Sequence, residues 1–245
     1  DPPPPYDTMF DPGYQGDLHA RDIFHNERIK KSMPKEDLDH LKALYDGEIR
    51  FVDEMGIGRL VSMLEERGLL DNTLIVITSD HGEEFFEHGK IGHRNNLYDT
   101  TLRVPLIFWR PGRVPARVSV TGQARIIDIV PTVLDLLELS PSPEAMGESL
   151  VRAMKEAMPG TVERPAMAEL TGGNLHMEAL RTDGYKIIVD MNKKKTEFFD
   201  LQKDPGEQSP GTNDSEPAVV NAMRRFNQET WKMQKQKNSL AWGED

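Results

Sequence analysis

The run Thr73-Leu-Ile-Val-Ile-Thr78, ending directly in Ser79-Asp80-His81-Gly82, constrains the fold of this chain more than any other feature. Apolar and β-branched residues without polar alternation read as a strand buried on both faces of a parallel sheet. Ahead of it, Leu38, Leu41, Leu44, Tyr45, Ile49, Val52, Met55, Leu60, Val61 and Leu64 recur at helical spacing. They predict a long amphipathic helix starting at Pro34, with Ser32 as its cap and a kink at Gly56 and Gly58. A second apolar run, Val104-Pro-Leu-Ile-Phe-Trp109, and a short helix over residues 128–139 complete an α/β pattern.

The texture changes on either side of this block. Residues 1–35 hold Pro, Gly and Asp turns with little periodicity and read as an irregular surface excursion. Residues 140–165 read as a connecting segment with one helical stretch. Beyond them, Met167-Ala-Glu-Leu170, Glu178-Ala-Leu-Arg181, Tyr185-Lys-Ile-Ile-Val189 and Glu197-Phe-Phe-Asp200 alternate with turn residues, predicting a small antiparallel sheet. A closing helix over residues 217–237 presents Val219, Val220, Met223, Phe226 and Trp231. The expected division is an α/β part over residues 1–160 and a small antiparallel subdomain with its closing helix over residues 161–245.

Composition narrows the function. A net charge of −11 argues against a general binder of nucleic acid or anionic membranes, which need clustered cations. It leaves open a small anionic substrate, since a local metal outweighs a distant acidic surface. The absence of cysteine removes disulfides, thiolate metal sites and a cysteine nucleophile from these residues, and leaves the compartment undecided. No apolar stretch approaches the ~20 residues of a spanning helix.

The chemistry concentrates in residues 79–96, at the carboxyl end of the first strand, where open α/β sheets bind their ligands. Asp80 offers a hard anionic oxygen and His81 a neutral imidazole nitrogen. That mixture suits calcium, manganese or zinc better than a soft metal. His88, Lys90 and His93 add groups able to hold an anion or to protonate a leaving oxygen. Taken singly, an Asp-His pair is usually a cap beside an exposed ring, and Lys90, Glu83 and Glu84 read as solvated loop charges.

The order Ser-Asp-His-Gly-Glu, Glu87-His-Gly89, Gly92-His93 and Leu97-Tyr-Asp-x-x-Leu-Arg-Val-Pro-Leu-Ile107 resembles the second half of the sulfatase family, within the alkaline phosphatase superfamily. Leu44-Tyr-Asp-Gly-Glu-Ile-Arg-Phe-Val-Asp53, Asp128-Ile-Val-Pro-Thr-Val-Leu134, Arg181-Thr-Asp-Gly-Tyr-Lys186 and Glu197-Phe-Phe-Asp-Leu-Gln-Lys-Asp-Pro-Gly-Glu207 extend the likeness to about residue 210. The resemblance implies part of an alkaline-phosphatase-like sheet with flanking helices, followed by the small antiparallel sheet and helix. It implies a sulfuric ester hydrolase with a small anionic ester substrate and a divalent metal, calcium ahead of manganese or zinc. Asp80 and His81 inherit the role of metal ligands, and His93 that of the group against the sulfate that protonates the leaving oxygen. Lys90 and His88 line the substrate pocket.

The family's nucleophile motif, Cys/Ser-x-Pro-x-Arg with the Cys matured to formylglycine, has no match in residues 1–245. The expectation is therefore a carboxyl-terminal part of a larger sulfatase-like protein, inactive alone, which self-associates or pairs with an amino-terminal half. Two alternatives stay open: a phosphodiesterase or phosphonate monoester hydrolase of the same superfamily, and a non-catalytic binding or assembly module.

Overall fold

The structure, a computed structural model, describes residues 1–156, 164–211 and 216–242. They form two compact units: residues 1–95 with 103–110, and residues 96–102 with 111 onward.

In the first unit the predicted long helix is present as α1 (Lys35–Phe51) and α2 (Arg59–Glu66), joined by a wide π turn at Val52–Gly58. The two glycines fall in that turn, which replaces the expected kink. Pro34 rather than Ser32 stands at the cap position, without a side-chain capping bond. Proline suits a helix start because its missing N–H would be unpaired there anyway.

Residues 1–35 are irregular and mostly exposed, as their composition suggests, yet they also lend side chains to the core. Leu18 and Met33 are buried with Leu41 of α1 and with Phe85, and Tyr14, Ile23 and Ile29 pack around them. Scattered apolar residues without a period leave no helix or strand signature, yet they fill a core equally well.

The first apolar run forms β1 (Ile75–Thr78). A hairpin of two short strands follows, β2 (Glu84–Phe85) and β3 (Ile91–Gly92), and then β4 (Leu106–Trp109). β1 pairs with β4 antiparallel, Ile75 opposite Trp109 and Thr78 opposite Leu106, rather than within a parallel sheet. Ile107 and Trp109 of β4 are exposed, and β1 is only partly buried. An apolar run reports a tendency to burial but carries no information on the direction of its partner strand.

In the second unit the short helices α3 (Asp99–Leu102), α4 (Ile129–Leu136) and α5 (Val151–Glu156) precede a four-stranded sheet. Its strands are β5 (Ala166–Gly172), β6 (Leu175–Arg181), β7 (Tyr185–Asp190) and β8 (Lys195–Asp200). They form an antiparallel meander in sequence order, as the alternation and turn residues predict. The closing helix α6 (Pro217–Trp242) sets Ala222 and Phe226 against Leu180, Ile187 and Val189 of that sheet. Trp231 is exposed, with the Lys235 ammonium 5.5 Å above its ring, so the apolar face ends before it. Part of the predicted connecting segment, residues 157–163, lies outside the described residues.

A buried polar knot anchors α4. Asp128 is fully buried, ion-paired to Arg125 at 2.7 Å, and accepts the Glu148 N–H at 2.9 Å. Thr132, one turn on, donates its hydroxyl to the Asp128 carbonyl and accepts the Leu150 N–H at 3.0 Å. Thr132→Val keeps the shape and leaves that buried N–H without an acceptor. It is expected to cost about 1–3 kcal/mol in urea unfolding. An unchanged midpoint would show that water reaches Leu150.

Candidate functional site

The site grows from the end of β1. Ser79 donates its hydroxyl to the His81 carbonyl at 2.8 Å, and the His81 N–H donates to Asp80 Oδ1 at 3.0 Å, so the strand turns sharply into a fixed loop. The bond from the His81 N–H, helped by the adjacent His81 ring, holds the Asp80 carboxyl below the usual carboxylate range. His81 Nδ1 lies 3.0 Å from the Gly82 carbonyl. Since a carbonyl only accepts, that nitrogen carries a hydrogen, and the other ring nitrogen, Nε2, is the one turned towards Asp80. His81 Nε2 sits 3.4 Å from Asp80 Oδ2, and the Asp80 side chain is 85% exposed. A carboxylate oxygen and an imidazole nitrogen thus converge at the carboxyl end of a strand.

The β2–β3 hairpin brings up the rest. Phe85 is buried against Leu18, Met33 and Leu41, which seats the hairpin on α1. Its tip is held by the Phe86 N–H donating to the Lys90 carbonyl at 2.7 Å and the Gly89 N–H donating to the Phe86 carbonyl at 3.1 Å. Phe86 adopts φ +68° and Arg94 φ +77°, strained values for side chains of their size. Gly92 adopts φ +85°, which side chains rarely take, and a Cβ there would also push aside the exposed Phe24 ring, 2.6 Å away. The Phe24 ring stands edge-on to His93 with centroids 5.9 Å apart.

Of the five residues expected at the site, the structure joins His81 and His93, whose rings stack at 3.9 Å. Asp80 touches His81, and it also accepts the Ser79 hydroxyl at 3.3 Å. His88 is buried with Nδ1 3.8 Å from Glu84, and Lys90 is exposed on the hairpin. The reading of Glu83 and Glu84 as solvated charges is overturned. Glu83 binds His93 Nδ1 through Oε2 at 3.0 Å, both side chains being more than four-fifths buried. Its other oxygen, Oε1, is buried without a hydrogen-bond partner. Glu84 is fully buried and accepts the His88 and Lys90 N–H groups at 2.7 and 3.2 Å. The only sequence signal for Glu83 is its place beside the Asp-His pair.

His81, Glu83 and His93 each bring one donor atom within 4.8 Å of the others. Imidazole nitrogens and carboxylate oxygens, one of them a buried orphan, form a donor set that a divalent ion fits.

The sequence pattern of the family described as Sulfatase matches residues 2–139. The chain belongs to the sulfatase family. A second pattern, N-sulphoglucosamine sulphohydrolase, C-terminal, matches residues 86–236. Arylsulfatase K of Gallus gallus is 29% identical over 203 residues, covering 78% of this chain and 37% of that protein. An arylsulfatase of Clostridium perfringens is 29% identical over 182 residues, covering 73% of this chain and again 37% of the relative. This sulfatase-family chain therefore spans little more than a third of the curated relatives it matches.

A solved structure in complex with its substrate, D-glucosamine-2-N,6-O-disulfate, superposes with a TM-score of 0.71 at 25% identity, covering 85% of this chain and 44% of that one. A phosphonate monoester hydrolase from Silicibacter pomeroyi superposes with a TM-score of 0.73 at 24% identity, covering 95% and 53%. The expected alkaline-phosphatase-like architecture with a small antiparallel sheet and terminal helix is thus the architecture present. Among the described residues no helix is long and apolar enough to cross a membrane.

Proposed function

We propose that this sulfatase-family chain supplies the metal-holding and leaving-group side of a sulfuric ester hydrolase site, with the nucleophile supplied by polypeptide outside residues 1–245. The observation that carries the reading is the 3.4 Å approach of Asp80 Oδ2 to His81 Nε2, with His93 stacked beside them. Asp80 and His81 would hold the divalent ion, calcium ahead of manganese or zinc. When bound, that ion would lend Lewis-acid stabilisation to the sulfuryl oxygens.

The protein's own groups do the rest. Glu83 fixes the His93 ring through Nδ1, which leaves Nε2 to hand a proton to the departing alcohol oxygen. Lys90, exposed on the hairpin, draws the anionic ester towards the loop against a net charge of −11. His88 contributes from inside, against Glu84, by holding the loop on which Lys90 and His93 stand. A second reading, hydrolysis of a phosphonate monoester, draws support from the likeness in fold to the Silicibacter enzyme.

The purified chain with calcium is expected to bind sulfate in calorimetric titration, and Asp80→Ala or His81→Ala to abolish the calcium dependence. It is expected to release no p-nitrophenol from p-nitrophenyl sulfate above the metal-only rate. Turnover by the chain alone would overturn the division of labour, and calcium-independent sulfate binding would overturn the ligand assignment. Tighter binding of phenylphosphonate than of sulfate favours the second reading.

A further inference from the structure

We infer that His81, Glu83 and His93 form a site for a borderline transition-metal ion of the zinc class, distinct in ligand set from the Asp80–His81 pair and exclusive of it. The inference stands on these three residues and does not depend on the hydrolase reading.

The donor set differs from the one the family resemblance implies. Asp80 is outside it, while Glu83 and His93 are inside it. Two imidazoles and one carboxylate favour zinc over calcium, because calcium seeks six to eight oxygens and zinc is satisfied by three protein ligands with nitrogen among them. The geometry is close to assembled. Glu83 Oε2 already lies 3.0 Å from His93 Nδ1, and the rings of His93 and His81 stack at 3.9 Å. Buried Oε1 of Glu83, without a hydrogen-bond partner, has lost its water and gained nothing in return. A cation is the partner that would repay that desolvation.

All three residues stand on a braced frame. His81 is fixed by its bond to the Gly82 carbonyl. Glu83 and His93 flank the first pair of the β2–β3 ladder, Glu84 opposite Gly92. Ten positions apart in sequence, they are brought together by hairpin closure. Zinc bound here would displace the Glu83–His93 hydrogen bond and occupy a nitrogen of His93. It would thereby take His81 from any calcium shared with Asp80. The expected consequence is inhibition by zinc wherever these residues serve a hydrolase.

The test is calorimetric titration of the full chain with zinc chloride. One equivalent is expected to bind, and His81→Ala, His93→Asn and Glu83→Gln each to weaken binding by at least about tenfold. Asp80→Asn is expected to change the zinc affinity by less than about twofold. X-ray absorption of the zinc-loaded wild-type chain is expected to show scattering from two imidazoles, a readout that needs no folded variant. An Asp80→Asn effect as large as that of Glu83→Gln would overturn the inference, as would zinc affinity indifferent to His93 or a spectrum with fewer than two imidazoles. Failure of calcium-dependent sulfate binding with zinc binding intact would instead count against the hydrolase reading alone.

Discussion

Lys186→Met is expected to destabilise the second unit by about 3–5 kcal/mol, the range found when one partner of a buried ion network is removed. Lys186 is fully buried on β7, yet its ammonium lies 2.9 Å from Asp99 Oδ1 and 2.7 Å from Glu207 Oε1. The contact to Glu207 is an ion pair without hydrogen-bond alignment. Asp99 is also gripped by Arg181, whose Nε and Nη2 approach within 2.9–3.0 Å. Glu207 takes the Asp99 N–H on its second oxygen at 2.5 Å. Two cations thus balance two carboxylates. Removing the lysine charge leaves a buried net negative charge that methionine fills in shape but not in sign.

The pH dependence gives that prediction a second reading. Burial alone would raise the Asp99 carboxyl, but the Arg181 hydrogen bonds and the Lys186 charge together hold it below the usual range. A carboxyl depressed in the folded state contributes stability that is fully present above its unfolded value of about 3.9. That stability is lost as pH falls through the lower folded value. The wild-type protein is therefore expected to stay stable to near pH 4 and then weaken. In Lys186→Met two carboxylates share the one remaining cation, Arg181, and gain from protonation, so the deficit is expected to be largest near neutrality and to shrink on acidification. Urea midpoints at pH 7, pH 5 and pH 3 measure both effects. A deficit below about 1 kcal/mol at pH 7 would mean that water or a rearranged Arg181 already satisfies the site.

Little of this network was legible in the sequence. A lysine on a strand is solvated by default, and the partners of Lys186 lie 87 and 21 positions away, where no local period reaches. What local physics governs was readable. The meander of β5–β8 follows from short alternating runs closed by Thr182-Asp-Gly184 and Met191-Asn-Lys193, and α1 and α2 follow from apolar spacing alone. Pairing direction was not readable, since the run at residues 73–78 looks the same whether its neighbour runs with it or against it. The site divides along the same line. Asp80, His81 and His93 stand out because unusual residues crowd together after a strand. Glu83 and Glu84 looked like solvent charges because their burial depends on Phe85 seating the hairpin against Leu18, Met33 and Leu41, some of them more than fifty residues away.

Glu84→Ala is the second large expected effect, and it joins fold to site. Glu84 Oε1 is the shared acceptor for the His88 and Lys90 N–H groups at the hairpin tip. It also faces the His88 ring at 3.8 Å. Truncation removes a fully buried side chain and strands two backbone donors, each worth about 1–3 kcal/mol when left unsatisfied. The tip also holds Phe86 at φ +68°, a conformation that persists only while the surroundings impose it. Losing the shared acceptor releases that strain, so the β2–β3 ladder is expected to open locally before the unit unfolds. Because Glu83 and His93 flank that ladder, opening it separates donors that now lie 3.0 Å apart. Hydrogen exchange at the His88 and Lys90 amides is expected to accelerate at least about tenfold in Glu84→Ala, as an opening easier by about 1.4 kcal/mol requires. Zinc affinity is expected to fall with it. Glu84→Gln keeps an acceptor oxygen in the same place and is expected to retain most of the protection. Equal protection in wild type and Glu84→Ala would show that the hairpin is held from its Phe85 face alone, and the buried carboxylate would then need another explanation.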